Sequence, residues 1–378
     1  MFAFGIEHEV AFLNQDGQFV DFVSTPFDAL DAIIGELPFY EEDYPQLRIG
    51  AAGIKRKRWY IEGFERYDLS GKFTSCPPKG IEIRTTIHDT IQGAVDELSA
   101  SFDLLLEKAV PAGFVPVYIS FNPFCTAFVP DPPLNEYEAH RRGHTPEKRT
   151  AVLPMLTYGP DLNFSLRGLS AKEIIDIGSK LTYYSPYIVP FSFSSPFYNG
   201  DLWEGLSVRT FKRTGARPAA MVYLEKSEEL ITSNPTLTKV ARLPAEIGRI
   251  EFKAFDSCAD FELYASLLAL LKGLALDDTL PGRATIPDAA LHQRSARGGF
   301  SDELIAEGSA AVLRAATRAL QDDADQRWLA RLDEMFEYRV TPAHDLIQVY
   351  QETDSIMSAL RSPYEATLER FQCELDVL

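Results

Sequence analysis

The sequence is poor in cysteine and has none of the cysteine patterns that hold metals or disulfide frameworks. Its 378 residues include four cysteines, Cys76, Cys125, Cys258 and Cys373, which are widely spaced and form no CxxC pair. A chain of this length can bury a core large enough to fold without disulfide staples. We therefore expect free thiols in a reducing cytoplasm.

Positive charge is also scarce. The chain carries 37 Lys and Arg against 55 Asp and Glu, a formal net charge of −18. Such a surface argues against binding to nucleic-acid phosphates or anionic membranes. No basic segment opens the chain as in a signal peptide, and the longest apolar run, 265–276, is interrupted by Lys272. These absences favour a cytoplasmic protein whose partners are small molecules rather than nucleic acid or membrane.

The usual phosphate-binding and nucleophile motifs are missing as well. We find no GxxxxGK[ST] loop, no GxGxxG between a strand and a helix, no kinase motif set and no nucleophile elbow. His140 and His144 are four residues apart, but Gly143 and Pro146 argue against a helix that would pair them on a metal. We expect the aperiodic segment 127–148 to be a long loop, of the kind that is often functional.

What the sequence does contain is a strand that carries two carboxylates. The segment 4–12 alternates so that Glu7 and Glu9 lie on one face, roughly 7 Å apart, while His8 lies on the apolar face and is expected to pack there. Two neighbouring carboxylates repel and need a cation or a proton. Mg²⁺ beside a phosphate substrate is the common case, and a solvated strand face is the alternative.

Three later strands repeat this pattern of one apolar and one polar face. Their polar pairs are Glu82 with Arg84, Asp161 with Asn163, and Glu251 with Lys253. The simplest explanation is a sheet whose concave face is the site, with carboxylates that hold divalent cations and basic residues that meet phosphate. That arrangement recurs in phosphoryl transfer.

Two basic segments have alternative explanations. The segment 56–63, Arg-Lys-Arg-Trp-Tyr-Ile-Glu-Gly, predicts either a solvated edge strand or cations that meet phosphate or carboxylate groups. The segment 294–299 is expected to be a basic glycine loop between two helices, which could bind phosphate through Arg297 or simply turn the chain. From residue 260 onward helical periodicity dominates, and it predicts helices over 261–275, 302–320, 325–337, 342–360 and 364–375.

The ordered motifs resemble the bacterial glutamate–cysteine ligases and related carboxylate–amine ligases of the glutamine synthetase-like superfamily. The Gly-x-Glu-x-Glu strand at 5–9 is similar to their opening strand, and 81–85 is similar to their second acidic strand. Ser207-x-Arg209 resembles their Ser-x-Arg motif, and 251–256 resembles their Glu-x-Arg-x-x-Asp strand. The resemblance extends in order over residues 1–350.

This resemblance implies an α+β fold. A largely antiparallel sheet would form a funnel-like active site, with helices packed behind it and a helical C-terminal region. Residues 1–378 would form a single glutamine synthetase-like catalytic domain, of which 260–378 is mostly helical. The implied cofactors are ATP and Mg²⁺. No feature of the sequence indicates an oligomeric state.

The resemblance also implies roles for individual residues. The positions that match metal ligands are Glu7, Glu9, Glu82 and Glu251. The positions where cations would meet phosphate or a substrate carboxylate, and which are the candidate catalytic residues, are Arg84, Arg209 and Lys253. The candidate nucleotide-binding residues are Asn163, Lys253 and Arg297. Asp161 and Asn163 replace a His-x-His pair, and Lys253 replaces an arginine, which keeps the charge but loses the bidentate fork.

The implied reaction has two steps. The γ-carboxylate of glutamate would attack the γ-phosphate of ATP, and an amine, that of cysteine, would then displace phosphate to give γ-glutamylcysteine for glutathione biosynthesis. One alternative keeps the fold but uses another amine, or transfers phosphate to a guanidino or carboxyl group. Another is a non-catalytic relative that binds a nucleotide or amino acid and regulates a partner. The carboxylates retained on all these strands favour catalysis.

Overall fold

A computed structural model describes residues 1–43, 45–47, 58–365 and 368, and the structural statements below concern these residues. The strands are β1 (Phe2–Leu13), β2 (Phe19–Val20), β3 (Trp59–Gly63), β4 (Arg66–Tyr67), β5 (Phe73–Ser75), β6 (Pro78–Arg84), β7 (Val115–Val117), β8 (Asp161–Leu166), β9 (Phe197–Tyr198), β10 (Asp201–Leu202), β11 (Ala220–Leu224), β12 (Thr238–Val240) and β13 (Ile250–Phe252). The α-helices are α1 (Phe27–Glu36), α2 (Ile91–Ala109), α3 (Glu136–Gly143), α4 (Pro146–Arg149), α5 (Ala171–Ile188), α6 (Val208–Arg213), α7 (Glu262–Leu276), α8 (Ala289–Gly298), α9 (Glu303–Ala319), α10 (Leu329–Glu337), α11 (Pro342–Thr353) and α12 (Ile356–Arg361).

The main sheet is organised around β1. Its strand order is β12-β11-β13-β8-β1-β6-β3, and β2 and β7 pair with the far end of β1. The β11–β12 pair is parallel, whereas β1, β3, β6, β8 and β13 pair antiparallel with their neighbours. The predicted α+β fold with a largely antiparallel sheet is therefore confirmed.

Alternation along β1 separates core from site. Its apolar side chains are buried on the helical side of the sheet: Phe4, Ile6, Val10 and Phe12. His8 lies among them as predicted, with Nδ1 2.9 Å from the Tyr264 hydroxyl and its ring edge-on to Phe261. Burial lowers the pKa of His8 to about 3, so the imidazole is neutral and belongs to the core.

Helices cover the apolar side of the sheet. In α7, every side chain from Leu263 to Leu274 is buried, and the helix packs against α2, α9 and β8. Helix α5 packs on β11, where a Cβ added to Gly178 would lie 2.6 Å from a Val222 methyl carbon. The predicted helical character from 260 onward is confirmed over the described residues, although the predicted helix 342–360 is two helices divided at Asp354, whose φ is 51°. The predicted helix 364–375 lies mostly outside the described residues.

Two predicted loops are wrong. Within 127–148 the chain forms α3 and α4, because Asn135 and Glu138 make a reciprocal capping box that starts α3. The expected glycine loop at 294–299 is instead the end of α8, which begins at the N-cap Asp288.

Several other predictions have a plain outcome. Cys76, Cys125 and Cys258 are free, as expected, and Cys373 lies outside the described residues. None of the described helices is long and apolar enough to span a membrane.

The basic segment at 56–63 has a structural explanation where it is described. Arg56 and Lys57 lie outside the described residues. Arg58 is buried, with ion pairs to Asp43 at 3.0 Å and Glu97 at 2.5 Å, so it is not free to meet a phosphate.

Candidate active site

The register of the sheet brings the predicted polar strands together. Glu9 lies directly opposite Glu82, and Glu7 lies opposite Arg84, where β1 pairs with β6. Directly opposed residues of antiparallel strands project from the same face. These four side chains therefore share the face that is turned away from the helices.

The other side of β1 completes this face. Asp161 on β8 lies opposite Glu7, and Asn163 lies opposite Glu251 of β13. The expectation that these strands present their polar faces to one side of a common sheet is confirmed. The chemical roles of the residues stay predictions.

One acidic cluster lies at the β1, β3 and β6 side. Glu9, Glu62 and Glu82 each place an oxygen within 4.8 Å of the others. Burial, together with the charges of neighbouring carboxylates, raises the pKa of Glu62 to about 7 and that of Glu82 well above its usual range. Such a cluster needs protons or a cation, and three carboxylates suit a hard divalent ion.

Glu62 was not assigned to the site by the sequence analysis. The signal was present, because Tyr60 and Glu62 share a face of the predicted extended segment. What could not be seen is that β3 pairs with β6 so that Tyr60 lies opposite Glu82. That pairing is a long-range property of the sheet.

Lys79 holds Glu9 in place. Its ammonium lies 2.8 Å from Glu9 Oε1 and donates to the carbonyl oxygens of Pro154 at 2.7 Å and Thr157 at 2.6 Å. The Gly159 amide donates to the other Glu9 oxygen at 3.0 Å. Lys79 is 1% exposed, and it is a second residue that the sequence analysis did not assign.

A second charged cluster lies at the β8 and β13 side. The Lys253 ammonium contacts the carboxylates of Asp161 and Glu251 at once. Arg249 lies 2.9 Å from the second Glu251 oxygen and 3.7 Å from Glu7. The four predicted metal ligands are thus divided between the clusters. Glu9 and Glu82 belong to the first, whereas Glu251 is ion-paired in the second and Glu7 lies beside Arg249 of the second.

The two carboxyl groups of this second cluster, Glu251 and Asp161, have pKa values shifted in opposite directions. Burial alone would raise the pKa of Glu251, but Lys253 and Arg249 hold it well below its usual range. Burial, with the charges of Glu251 and Glu7, raises the pKa of Asp161 to about 7 in spite of Lys253. Of the two carboxyl groups, Glu251 therefore stays ionised, and the Asp161 carboxylate is the one that binds a proton more readily.

Arg209 is positioned by a buried hydroxyl network. The Asp256 carboxylate accepts hydrogen bonds from Ser195 Oγ at 2.7 Å and Ser207 Oγ at 3.0 Å, and Ser207 caps α6. Arg209 lies in the first turn of that helix and donates from Nη2 to the Lys253 carbonyl at 3.0 Å. Its Nε and Nη1 are buried without a hydrogen-bond partner in the described part of the chain.

The Arg209 guanidinium lies directly on Gly159. A Cβ at this position would lie 2.4 Å from Arg209 Nη2, so the guanidinium would have to move to make room for it. Asn163 also has an unused polar atom, since its buried Oδ1 has no hydrogen-bond partner among the described residues. The face therefore offers unused donors for an anion and an unused oxygen for a cation.

A cavity of about 840 Å³ opens over this face. Glu7, Glu62 and Arg84 line its sheet side, and Arg84 is held 4.3 Å from the centre of the Tyr60 ring. The volume is in the range of ligand-binding pockets and is large enough for a nucleotide with a second small molecule.

Arg297 does not lie with the other predicted residues. It is at the end of α8, with its side chain 44% exposed, 3.2 Å from Glu204 and 4.3 Å from the centre of the Phe211 ring. In the described part of the chain it does not line the cavity, and neither do Glu9, Glu82, Arg209, Glu251 and Lys253, so its contacts at the end of α8 are what set it apart. The structure does not bring Arg297 to the strand carboxylates.

Comparison with solved structures identifies the fold. A glutamate–cysteine ligase from Francisella tularensis, solved in complex with AMP, is 11% identical, with a TM-score of 0.56 over 97% of this chain and 88% of that one. A bifunctional glutathione synthetase from Pasteurella multocida is 13% identical, with a TM-score of 0.57 over 97% of this chain and 52% of that one. PafA, the ligase of the prokaryotic ubiquitin-like protein Pup, is 11% identical, with a TM-score of 0.50 over 94% of this chain and 70% of that one.

Comparisons with family models and with curated protein sequences find no match. At 11–13% identity the structural likeness shows the fold alone. The chain has the fold of these ligases, and the resemblance drawn from its sequence motifs is confirmed at that level.

Proposed function

We propose that this protein is an ATP- and Mg²⁺-dependent ligase that joins a carboxylate to an amine through an acyl phosphate. The observation that carries the proposal is the gathering of carboxylates and basic side chains from β1, β3, β6, β8 and β13 on one face of the sheet, beneath a cavity of about 840 Å³. The fold shared with three ligases supports it.

The donor set fits a divalent cation. Glu9, Glu62 and Glu82 would hold Mg²⁺ at one side of the site, since hard cations take oxygen ligands. At the second cluster, further oxygen donors come from Glu251, from Glu7 beside Arg249, and from Asn163 Oδ1, which has no hydrogen-bond partner among the described residues. When bound, Mg²⁺ would neutralise the phosphate oxygens of ATP and relieve the repulsion among the carboxylates.

The basic residues fit the phosphates and the reacting carboxylate. Among the described residues, Nε and Nη1 of Arg209 have no hydrogen-bond partner, and Lys253 and Arg84 carry charge on the same face. Guanidinium and ammonium groups placed where negative charge develops stabilise the transition state without reorganising. These residues bind and orient the substrates, and none of them needs to form a covalent bond.

Glutamate is the first carboxylate to test and cysteine the first amine, which would give γ-glutamylcysteine. The carboxylate oxygen attacks the γ-phosphorus, and ADP leaves with the electron pair of the broken P–O bond. The amine nitrogen then attacks the acyl carbon, phosphate leaves, and the amine loses its extra protons to phosphate and solvent. Holding the reactants together accounts for much of the rate in such a mechanism.

One assay tests this function. The protein is incubated with ATP, Mg²⁺ and glutamate, single amines are added, and ADP, phosphate and the amide product are followed. Cysteine-dependent ADP release with formation of γ-glutamylcysteine supports the full proposal, and release with another amine supports the ligase but not its acceptor. Nucleotide binding without turnover for any amine would contradict the ligase and favour a regulator.

Matched variants connect the activity to the site. Glu62→Gln and Glu82→Gln keep size but remove carboxylate charge, and we expect each to lose at least about 100-fold in kcat because cation binding is weakened. Glu307→Gln, on the exposed face of α9, is the control. Full activity in both site variants would contradict the assignment of this cluster.

A further inference from the structure

One wall of the cavity carries guanidinium groups that are held by neutral partners. Arg142 of α3 lies 3.6 Å from the centre of the Phe64 ring and donates to the Glu65 carbonyl at 2.9 Å. Arg141 lies 4.2 Å from the centre of the Tyr67 ring and donates to its hydroxyl at 3.0 Å. Aromatic faces and carbonyl oxygens fix the orientation of both groups without neutralising their charge.

Arg217, which follows α6, belongs to the same wall. It donates from Nη1 to the Glu147 carbonyl at 2.8 Å and to Thr150 Oγ1 at 3.3 Å. Its Nε is buried and has no hydrogen-bond partner among the described residues. Burial lowers the pKa of Arg217. The carboxylates that oppose this effect are first Glu147 and then Asp161 and Glu62 of the strand clusters.

We call these three residues, Arg141, Arg142 and Arg217, the arginine wall. In the part of the chain that the structure describes, none of the three forms an ion pair with a carboxylate, although all three line the cavity. The chain has a net charge of −18, so acidic partners are abundant. Carboxylates act on all three from a greater distance, Glu65 on Arg141, Glu138 on Arg142 and Glu147 on Arg217. Cations that are partly buried, fixed in orientation and not directly paired form a preorganised site for an anionic ligand.

The position of the wall separates it from the phosphate-binding groups. Arg84, Arg209 and Lys253 lie on or against the sheet, where the proposed function places ATP and the reacting carboxylate. The arginine wall comes from α3 and from the turn after α6. A nucleophile that attacks an acyl phosphate held on the sheet would enter from this other part of the cavity.

We propose that the arginine wall binds the amine substrate, and that this substrate is acidic, with two or more negatively charged groups besides the reacting amine. A dicarboxylic amino acid or an acidic peptide has this chemistry. The inference rests on the proposed ligase function and departs from cysteine, which carries a single carboxylate. The nitrogen of the acidic amine forms the C–N bond to the acyl carbon. The bond from that carbon to phosphate breaks, and its electron pair goes to phosphate.

The first experiment compares amines that differ in charge but not in shape. With ATP, Mg²⁺ and glutamate as the fixed carboxylate substrate, the pairs aspartate and asparagine, and aspartyl-alanine and asparaginyl-alanine, are tested beside cysteine. Two charge-assisted hydrogen bonds to fixed guanidinium groups should lower KM for the acidic member of a pair at least about 10-fold. Equal KM values within both pairs, or a higher kcat/KM for cysteine than for either acidic amine, would overturn the inference.

The second experiment tests the wall itself. Arg142→Gln and Arg217→Gln should raise KM for the acidic amine about 10- to 100-fold and leave the KM for ATP unchanged. Arg142→Lys should recover part of the loss, because it restores the charge without the fork. Arg149→Gln is the control, since Arg149 lies in the same segment but is exposed and donates to the Gly143 carbonyl.

Hydroxylamine separates failure of the inference from failure of the proposed function. It carries no negative group and traps an acyl phosphate as a hydroxamate, so it needs no acceptor site. Hydroxamate formation that the two glutamine variants leave unchanged, together with their raised KM for the acidic amine, supports the inference. If hydroxamate forms but acidic amines are not preferred, the inference is overturned and the ligase function stands. If both glutamine variants have a raised KM for ATP, the wall binds the nucleotide and the inference is likewise overturned. No hydroxamate and no ADP would overturn both.

Discussion

At the scale of single residues, buried charges decide the shape of the site. Lys79 has one carboxylate and two carbonyl oxygens around its ammonium, and it is almost completely buried. A buried ion pair is costly to break from one side, because the remaining partner keeps its desolvation penalty. Lys79 therefore positions Glu9 as well as contributing to stability.

Replacing Lys79 by methionine should test this positioning. Lys79→Met keeps the length of the side chain but removes the cation beside Glu9 and the ammonium donor to the carbonyls of Pro154 and Thr157. We expect a loss of about 3 kcal/mol in the free energy of unfolding, measured by urea denaturation. Lys172→Met, at an exposed position of α5, is the control, and equal midpoints for the two variants would contradict the role of Lys79.

Gly159 is the residue whose lack of a side chain lets Arg209 approach the sheet. An added Cβ at this position would lie 2.4 Å from Arg209 Nη2. Gly159→Ala should displace the guanidinium and lower kcat/KM for ATP about 10- to 100-fold, which is the usual cost of a lost charge-assisted hydrogen bond. Gly143→Ala, where an added Cβ would meet nothing within 4 Å, should leave kcat/KM unchanged.

His292 makes the stability of the protein depend on pH. It is fully buried, its Nδ1 lies 2.8 Å from the Asp288 carbonyl oxygen, and burial lowers its pKa to about 4. Between pH 6.5 and 4 the unfolded chain binds a proton at this residue that the folded chain does not, so stability falls as the pH falls. Acidifying from pH 7 to 4.5 should cost wild type about 2 kcal/mol more than it costs His292→Gln. Parallel losses in urea titrations of the two proteins would contradict this.

At the scale of secondary structure, what can be predicted depends on how local the signal is. Alternation along β1 is local, and it correctly predicted that Glu7 and Glu9 project from one face of the strand and His8 from the other. Which carboxylates meet across strands is not local, because it depends on registers between residues 22 positions apart, as for Tyr60 and Glu82, or 73 positions apart, as for Glu9 and Glu82. Glu62 was missed for this reason.

The two wrong loops have a different cause. Both stretches contain residues that disfavour a helix interior, but both also contain signals that start a helix, and these signals prevail. Asn135-x-x-Glu138 is a capping box, and Asp288 is a good N-cap. A Gly at the end of a helix is compatible with it, since Gly143 and Gly298 are the last residues of α3 and α8.

The cap of α3 should affect the arginine wall. Asn135 accepts from the Glu138 amide at 3.0 Å and donates to the Tyr67 carbonyl at 2.7 Å. Asn135→Ala should cost about 1 kcal/mol of stability and raise KM for an acidic amine severalfold, because Arg141 and Arg142 lie on this helix.

Thr90→Ala is the matched control for that prediction. It removes the cap of α2, where Thr90 accepts from the Gly93 amide at 3.1 Å, and α2 lies behind the sheet. We expect a similar loss of stability without a change in KM. If KM rises equally in both variants, the effect is one of general destabilisation rather than of the wall.

At the scale of the whole molecule, the fold was predictable because its determinants are repeated. Several strands carry the same alternation of apolar and polar faces, and their order along the chain matches one family of ligases. Identity of only 11–13% to the solved structures that share the fold is compatible with this, since the pattern rather than the residues specifies the sheet. The arginine wall had no such signal, because its residues come from α3 and from the turn after α6, which are distant in the sequence and line one cavity only in the folded chain.

The acidic face also makes the molecule a compromise between stability and function. Burial and neighbouring carboxylates raise the pKa of Glu62 to about 7. At pH 8 the group is therefore ionised in the folded state, and this charge lowers the free energy of unfolding. A carboxyl with a raised pKa contributes stability that is present at low pH and lost as the pH rises through the folded pKa. Glu62→Gln, which cannot ionise, should therefore be more stable than wild type at pH 8 in EDTA, by about 2 kcal/mol.

Adding Mg²⁺ should reverse that order. A cation that binds the folded state alone raises the unfolding temperature in proportion to the logarithm of its concentration. Wild type, with Glu9, Glu62 and Glu82 intact, should gain several degrees between EDTA and millimolar Mg²⁺ with ADP, whereas Glu62→Gln should gain little. Glu307→Gln should follow wild type in both conditions. If Glu62→Gln were instead less stable than wild type in EDTA, Glu62 would be a structural partner of Lys79 and not a carboxylate kept for a cation.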